Sequence, residues 1–167
     1  MINRPFAYLM QANRPVVLAA MVSGALIVVA LLFEHIGGLV PCKLCLTQRL
    51  PHYGLIILGI ASVIRPQHQI LWRPLGSLCA FATAAVGLQH VGVEQKWWQG
   101  PQGCSSTIDM NASLADLTQS LLDTPVVRCD EVAWSFLSVS MAGWNMVISL
   151  SVAVFLAIAS WQISKRV

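Results

Sequence analysis

Five cysteines carry most of the chemistry that this sequence can do, and four of them flank long apolar runs rather than sitting inside them. Pro41-Cys42-Lys43-Leu44-Cys45 is a CxxC placed where a helix is about to start. The thiolate, not the thiol, attacks a disulfide, and a helix N-terminus with nearby cations favours it. Lys43 and Arg49 supply the cations. A CxxC closes a loop too small to staple much chain, which suits a bond that is made and broken. Two other readings stay open at this point, a local staple and a metal site. A metal site would want a second CxxC or CxxH pair, and Cys104 and Cys129 are far apart along the chain.

Four cysteines permit three pairings; spacing favours Cys42 with Cys45 and Cys104 with Cys129. Taken alone, Cys104–Cys129 reads as a structural staple, contributing roughly 3–4 kcal/mol to a loosely packed loop. With a redox-type CxxC on the same side, electrons would have somewhere to go. Cys79, within an apolar run, reads as a small packing residue.

Arg49 follows Cys45 by one helical turn, so both face the same way. It is either an edge charge that snorkels to the interface or a donor for an acceptor's carbonyl, where it would stabilise developing negative charge. His90 and Glu94 share a face in the same manner. They could relay protons or simply hydrogen-bond each other. Glu34, His35 and His52 have weaker claims of this kind, and His68 reads as a solvated residue.

The elements that must position these residues are membrane helices. Of 167 residues, 56% are hydrophobic and 10% charged, against about 25% charged in a soluble domain. Pro15–Phe33, Pro74–Val93 and Val132–Ser164 lack Asp, Glu, Lys and Arg altogether. Roughly 20 helical residues cross the hydrocarbon core. Leu50–Ile64 reaches that length only if Leu44 to Arg49 joins the same helix. The reading is one domain of four spans, at about 15–33, 44–64, 74–93 and 143–161, with the stretch before the fourth in the interface. The first run is longer than a signal-peptide core and lacks a small-x-small site after it, so it is expected to be retained.

Net charge is +3, too modest to argue for nucleic acid. Arg4, Arg14, Arg65, Arg73, Lys165 and Arg166 fall in the three segments that four spans place on one side, and no acidic residue accompanies them. Lys43, Arg49, Lys96 and Arg128 share the other side with every carboxylate. The positive-inside rule therefore puts both termini in the cytoplasm and both cysteine loops outside. Trp97, Trp98, Trp134, Trp144 and Trp161 suit the headgroup region. Gly100-Pro101-Gln102-Gly103 signals a turn before Cys104. Ser113 to Asp116 resembles a capping box, and Leu114, Leu117, Leu121 and Leu122 then share a face until Thr124-Pro125. This predicts a short amphipathic helix, on the membrane surface or packed on the loop.

Taken together, these features resemble the disulfide bond formation protein B (DsbB) family of membrane thiol:quinone oxidoreductases. The resemblance covers nearly the whole chain: four spans, PCKLC leading the second, an arginine one turn later, and two cysteines in the second outward loop. The stretches HVGVEQKWWQGPQGC and RCDEVAWSFLSVSMAGWN look like the alphaproteobacterial branch. The resemblance implies a bacterial inner-membrane enzyme that reoxidises a periplasmic thioredoxin-fold oxidant (DsbA) and passes electrons to ubiquinone or menaquinone, with no resident metal. It also implies roles. Cys104 would form the mixed disulfide with the partner, Cys129 would attack Cys42, and Cys45 would be freed as a thiolate toward the quinone. Arg49 matches the quinone-site arginine. Where well-known members carry a histidine near the outer end of span three, this chain offers Glu94, with His90 one turn earlier.

Overall fold

In the computed structural model, which describes residues 13–101 and 128–165, four long helices run up and down beside one another. They are α1 (Arg14–His35), α2 (Lys43–Ile64), α3 (Gln69–Glu94) and α4 (Met141–Ser164). A single turn of 3-10 helix, Pro66–His68, joins α2 to α3. A two-stranded hairpin, β1 (Ser135–Phe136) and β2 (Val139–Ser140), leads into α4. At 1.5 Å per residue, 22 residues of α1 give about 33 Å, enough to cross the hydrocarbon core.

Three of the four elements are long and apolar enough to span a membrane by composition: Arg14–His35, Pro66–Glu94 and Met141–Gln162. The fourth, α2, has the length but carries Lys43, Gln48, Arg49 and His52. Its polarity has a structural reason, because this helix brings the most chemistry into the bundle. Large side chains such as Met21, Ile57, Leu78 and Val154 stay exposed on the outside of the bundle, as expected where lipid is the solvent.

Cross-bundle contacts fix the antiparallel order. Arg73, near the start of α3, donates to the Ala159 carbonyl near the end of α4 at 2.7 Å. At the opposite end Ser140, just before α4, donates to Glu94 at the end of α3. Arg73 is 3% exposed: the sequence leaves it just outside the third span, but α3 begins at Gln69 and carries it into the bundle. Small residues set the spacing. A Cβ at Gly59 would collide with that of Ala20, and one at Gly87 would press on the Cβ and backbone of Met146 at 3.0–3.3 Å.

Away from the cysteines, Val16, Ala19, Leu55, Ala80, Ala153 and Leu156 make a core to which all four helices contribute. Cys79 packs against it, in line with a packing role. The helices end in different ways. Ser140 Oγ accepts from Gly143 N–H at 3.1 Å and so caps α4. The hairpin before it turns on Leu137 and Ser138, both at positive φ (51° and 62°), the backbone that a tight hairpin demands and that glycine or asparagine usually supplies. No such turn signal stands in the sequence, so the hairpin was not foreseeable. The predicted surface helix at 113–124 lies outside the described residues.

Candidate active site

The CxxC begins α2 as its spacing predicts. Cys42 is the N-cap residue in extended conformation, and its sulfur accepts from the Cys45 backbone N–H at 3.2 Å. The sulfur thus occupies the place where a helix N-terminus favours negative charge. The two Sγ atoms are 3.0 Å apart, with the Cys42 thiol donating to Cys45.

That hydrogen bond divides the roles of the two sulfurs. It pushes the Cys42 thiol up to about 12, with burial adding to the effect and His90 opposing it. The sequence predicts a lowered value from the helix terminus and the nearby cations. Cys42 departs from this because its proton is shared with its neighbour and because burial disfavours the thiolate. Cys45, as acceptor, is the sulfur on which negative charge is accommodated.

Cys129 lies fully buried in the same cluster, with Cys42, Leu44 and Val93, and Cys45 packs against it. Three of the four loop cysteines therefore meet at one spot. Cys104 lies outside the described residues. Around Cys129 a charged clamp holds the chain: Arg128 donates from Nε and Nη2 to the two carboxylate oxygens of Asp130, at 3.0 and 2.7 Å. Arg128 holds the Asp130 carboxyl below the ordinary carboxylate range. Arg128 also lies 3.2 Å from Glu131.

A cavity of about 410 Å³ opens beside the CxxC. Cys42, Cys45, Arg49, His90 and Glu94 all line it, so five of the predicted site residues share one chamber. Its walls are otherwise mostly apolar, from Leu26 and Phe33 on α1 to Trp144 and Ile148 on α4, with Trp134 and Phe136 beside the hairpin. Volume and character suit one small ring compound held by a few polar groups. A quinone, which the resemblance implies, fits this donor set: a flat apolar ring with two carbonyl acceptors, facing a guanidinium and a sulfur.

Arg49 enters this chamber in partnership. Its Nη1 is 2.7 Å from Glu34 Oε2, at the end of α1, with the two side chains only 13% and 24% exposed. His90 faces three groups. Its Nε2 lies 3.5 Å from Cys42 Sγ and 3.9 Å from Glu94 Oε1, while Gln48 Nε2 stands 2.9 Å from its Nδ1. Pro51 has no N–H and interrupts the ladder of α2. Thr83 Oγ1, donating to the Gln48 carbonyl at 2.8 Å, ties that weakened turn to α3.

Sequence reasoning paired His90 with Glu94 but missed Gln48, Asn145 and Ser140. The available signal was polarity: Asn145 stands inside the uncharged fourth run, where an amide in a span asks for a partner. The ligand atoms of Cys42, Cys45 and His90 also lie within 4.8 Å of one another, the spread of a three-ligand metal site.

Comparison with known proteins places the chain among related sequences. The family model described as "Disulfide bond formation protein DsbB" matches residues 12–159. Among curated proteins, disulfide bond formation protein B of Verminephrobacter eiseniae is 32% identical over 140 residues, covering 80% of this chain and 77% of its own length. The protein of the same name from Aeromonas hydrophila is 32% identical over 144 residues, 81% of each chain. That of Stutzerimonas stutzeri is 24% identical over 155 residues, 90% of this chain and 93% of its own. No solved structure matches the chain.

Proposed function

The chain belongs to the disulfide bond formation protein DsbB family, and from that premise we propose the path its electrons take. It is a multi-pass membrane protein and a dithiol:quinone oxidoreductase, a class whose members reoxidise DsbA.

In our reading, a DsbA-like periplasmic dithiol attacks Cys104 of a Cys104–Cys129 disulfide. Cys129 leaves as a thiolate and attacks Cys42 of a Cys42–Cys45 disulfide. A Cys129–Cys42 bond forms, and the electron pair is left on the Cys45 sulfur. A bound quinone supplies the two-electron acceptor. Cys45 would be the donor sulfur, Arg49, anchored by Glu34, would donate to a quinone carbonyl, and His90 with Glu94 offers a proton-bearing pair at the chamber wall. The partner's second thiol attacks its mixed disulfide with Cys104, so that the partner leaves oxidised and Cys104 is freed as a thiolate. Cys104 then attacks Cys129, which restores Cys104–Cys129 and releases Cys42, and Cys42 re-forms its bond with Cys45 as two electrons pass to the acceptor. The partner's dithiol loses two electrons and two protons, which the acceptor gains.

The observation that carries this reading is that Cys129 packs against the CxxC while Cys45 and Arg49 line one apolar chamber. A stapled scaffold needs no chamber beside its disulfide. The positive-inside bias supports an inner-membrane protein with cytoplasmic termini, and the stretches around Trp97-Trp98 and Trp134 support the alphaproteobacterial-like branch. Ubiquinone and menaquinone both suit the chamber. The test is to add reduced DsbA and a soluble quinone analogue to the purified protein and follow quinone absorbance. Quinone loss matched by DsbA oxidation is expected; neither occurring would overturn the function.

A metal-binding reading has the three-ligand spread in its favour. Against it stands Arg49, a fixed cation lining the same chamber. Cadmium titration of the reduced protein separates the two: tight, stoichiometric thiolate charge-transfer absorbance that survives excess quinone would favour the metal.

A further inference from the structure

A thread of buried polar side chains runs behind His90 and touches all four helices. Gln48 Nε2 meets His90 Nδ1 at 2.9 Å, and Asn145 Nδ2 meets Gln48 Oε1 at 2.7 Å. His52 Nε2 meets Asn145 Oδ1 at 2.9 Å, and Ser23 Oγ meets His52 Nδ1 at 3.0 Å. Ser23, Gln48, His52 and His90 are all buried. Burying this much polarity in an apolar bundle is costly unless every group is paired. Helix packing alone would be served as well by apolar side chains.

An amide has a donor end and an acceptor end, so one choice of direction propagates along the thread. The choice is set at His90. Its Nε2 faces the Cys42 sulfur, whose own hydrogen goes to Cys45, and the Glu94 carboxylate. Both take a hydrogen there, so Nε2 carries one and Nδ1 is left as an acceptor. Gln48 must then present its NH₂ to His90 and its carbonyl to Asn145. Asn145 in turn presents NH₂ to Gln48 and its carbonyl to His52. His52 donates from Nε2, and its Nδ1 accepts the Ser23 hydroxyl. Every donor points toward the cysteines, and no junction sets two donors or two acceptors against each other.

We infer that Gln48 and Asn145 are positioning residues that lock His90 in the Nε2–H tautomer, with that N–H directed at the Cys42 sulfur. His52 and Ser23 fix the polarity of the two amides from deeper in the bundle. The inference deepens the proposed function and rests on its reading of Cys42 as a sulfur that must leave as a thiolate. When Cys104 attacks Cys129, the Cys42–Cys129 bond breaks and its electron pair goes to Cys42. A hydrogen bond from His90 Nε2 stabilises that charge, and the opposite tautomer would offer it a lone pair.

The test reads the tautomer directly. Protein labelled with ¹⁵N-histidine and fully reduced is examined by NMR, with His90 assigned from a His90→Gln variant. The expected parent spectrum has His90 protonated at Nε2 alone. Gln48→Met and Asn145→Leu should each lose that single tautomer, and Gln48→Glu, which faces Nδ1 with oxygens, should place a hydrogen there. If Asn145→Leu does not fold, Asn145→Asp keeps the oxygen toward His52 while removing the N–H to Gln48. In a Cys45→Ser, Cys104→Ser, Cys129→Ser background, Gln48→Met should also slow Cys42 alkylation roughly fivefold, the size of one hydrogen bond. A parent His90 protonated at Nδ1, or a tautomer unchanged in the Gln48 and Asn145 variants, would overturn the inference. Because the spectrum needs no turnover, it separates this failure from a failure of the quinone reaction.

Discussion

Arg49 on α2 holds Glu34 at the end of α1 with 2.7 Å between Nη1 and Oε2. The pair joins two helices where the chamber lies as a close ion pair, and Glu34 Oε2 takes no hydrogen bond among the described residues, so the N–H groups of the guanidinium stay available to an acceptor. Arg49 is thus a positioned side chain with donors to spare, which a snorkelling edge charge would not be.

Glu34→Gln should therefore raise the quinone KM about tenfold or less, a cost near 1.4 kcal/mol, because the fork loses its anchor but keeps its charge. Arg49→Ala should raise KM more, and Arg49→Lys should recover only part, since an ammonium lacks the planar fork. Residues acting as a unit are non-additive. The double variant Glu34→Gln, Arg49→Ala should be no worse than Arg49→Ala alone. Fully additive losses would mean that Glu34 serves the site independently of Arg49.

Thiol accessibility gives a second expectation. Sequence treats the four loop cysteines alike, whereas burial separates them: Cys42 and Cys129 are 5% and 0% exposed, and Cys45 is intermediate. After reduction, a membrane-impermeant maleimide added from the periplasmic side should label Cys45 before Cys42 and Cys129. Cys79, packed against the core, should stay unlabelled. Cys45 labelling that requires an opened cytoplasmic face would reverse the orientation.

Much of this site was legible in the sequence because its signals are local. The CxxC announces a helix start, Arg49 and Cys45 lie one turn apart, and so do His90 and Glu94. Helical register alone predicts those shared faces. The four helices were legible largely for the same reason: uncharged runs announce α1, α3 and α4, and α2 follows once Leu44–Arg49 is joined to the shorter run after it. What stayed hidden depends on which helices become neighbours. Nothing in the first span says that Glu34 will meet Arg49, or that Asn145 of α4 will hand its amide to Gln48 of α2. The pull of Cys45 on the Cys42 proton also depends on side-chain geometry, and it reversed a trend drawn from charge alone.

The pH behaviour of the reduced protein follows from that reversal. The Cys42 thiol is raised from 9.0 to about 12 in the folded state, chiefly by its hydrogen bond to Cys45. Between those values the folded chain keeps a proton that the unfolded chain has lost. The stabilisation is therefore complete below pH 9 and is lost as pH rises toward 12. Thiolate absorbance of Cys42 should be absent through pH 9. In a Cys45→Ser variant the serine cannot ionise and can donate its hydroxyl hydrogen to a Cys42 thiolate, so Cys42 should ionise at lower pH. An unchanged Cys42 titration in that variant would contradict the assigned cause.

The last prediction concerns the proposed Cys104–Cys129 bond, whose potential separates catalysis from stapling. Structural disulfides lie below about −300 mV, and a DsbA-type partner lies near −120 mV. A bond of the structural kind would be about 180 mV too reducing to oxidise that partner. At about 1.4 kcal/mol per 30 mV, the transfer would run uphill by roughly 8 kcal/mol. Sequence suggests lability through exposure, with Gly100, Pro101, Gly103, Ser105 and Ser106 around Cys104. Burial of Cys129 changes where the lability comes from. Cys104 lies outside the described residues, while Cys129 sits against Cys42 with a second sulfur to bond. Its thiolate has an outlet inside the protein, so the Cys104–Cys129 bond competes with Cys42–Cys129 instead of standing alone. Redox equilibration against defined glutathione or dithiothreitol ratios measures the bond. A Cys42→Ser, Cys45→Ser background isolates it by closing that outlet. A potential well above the structural range is expected there. In the Cys45→Ser, Cys104→Ser background, air oxidation should instead join Cys42 to Cys129, visible as a shifted band on a non-reducing gel. A potential near −300 mV with no such cross-link would leave Cys104–Cys129 a staple and remove it from the electron path.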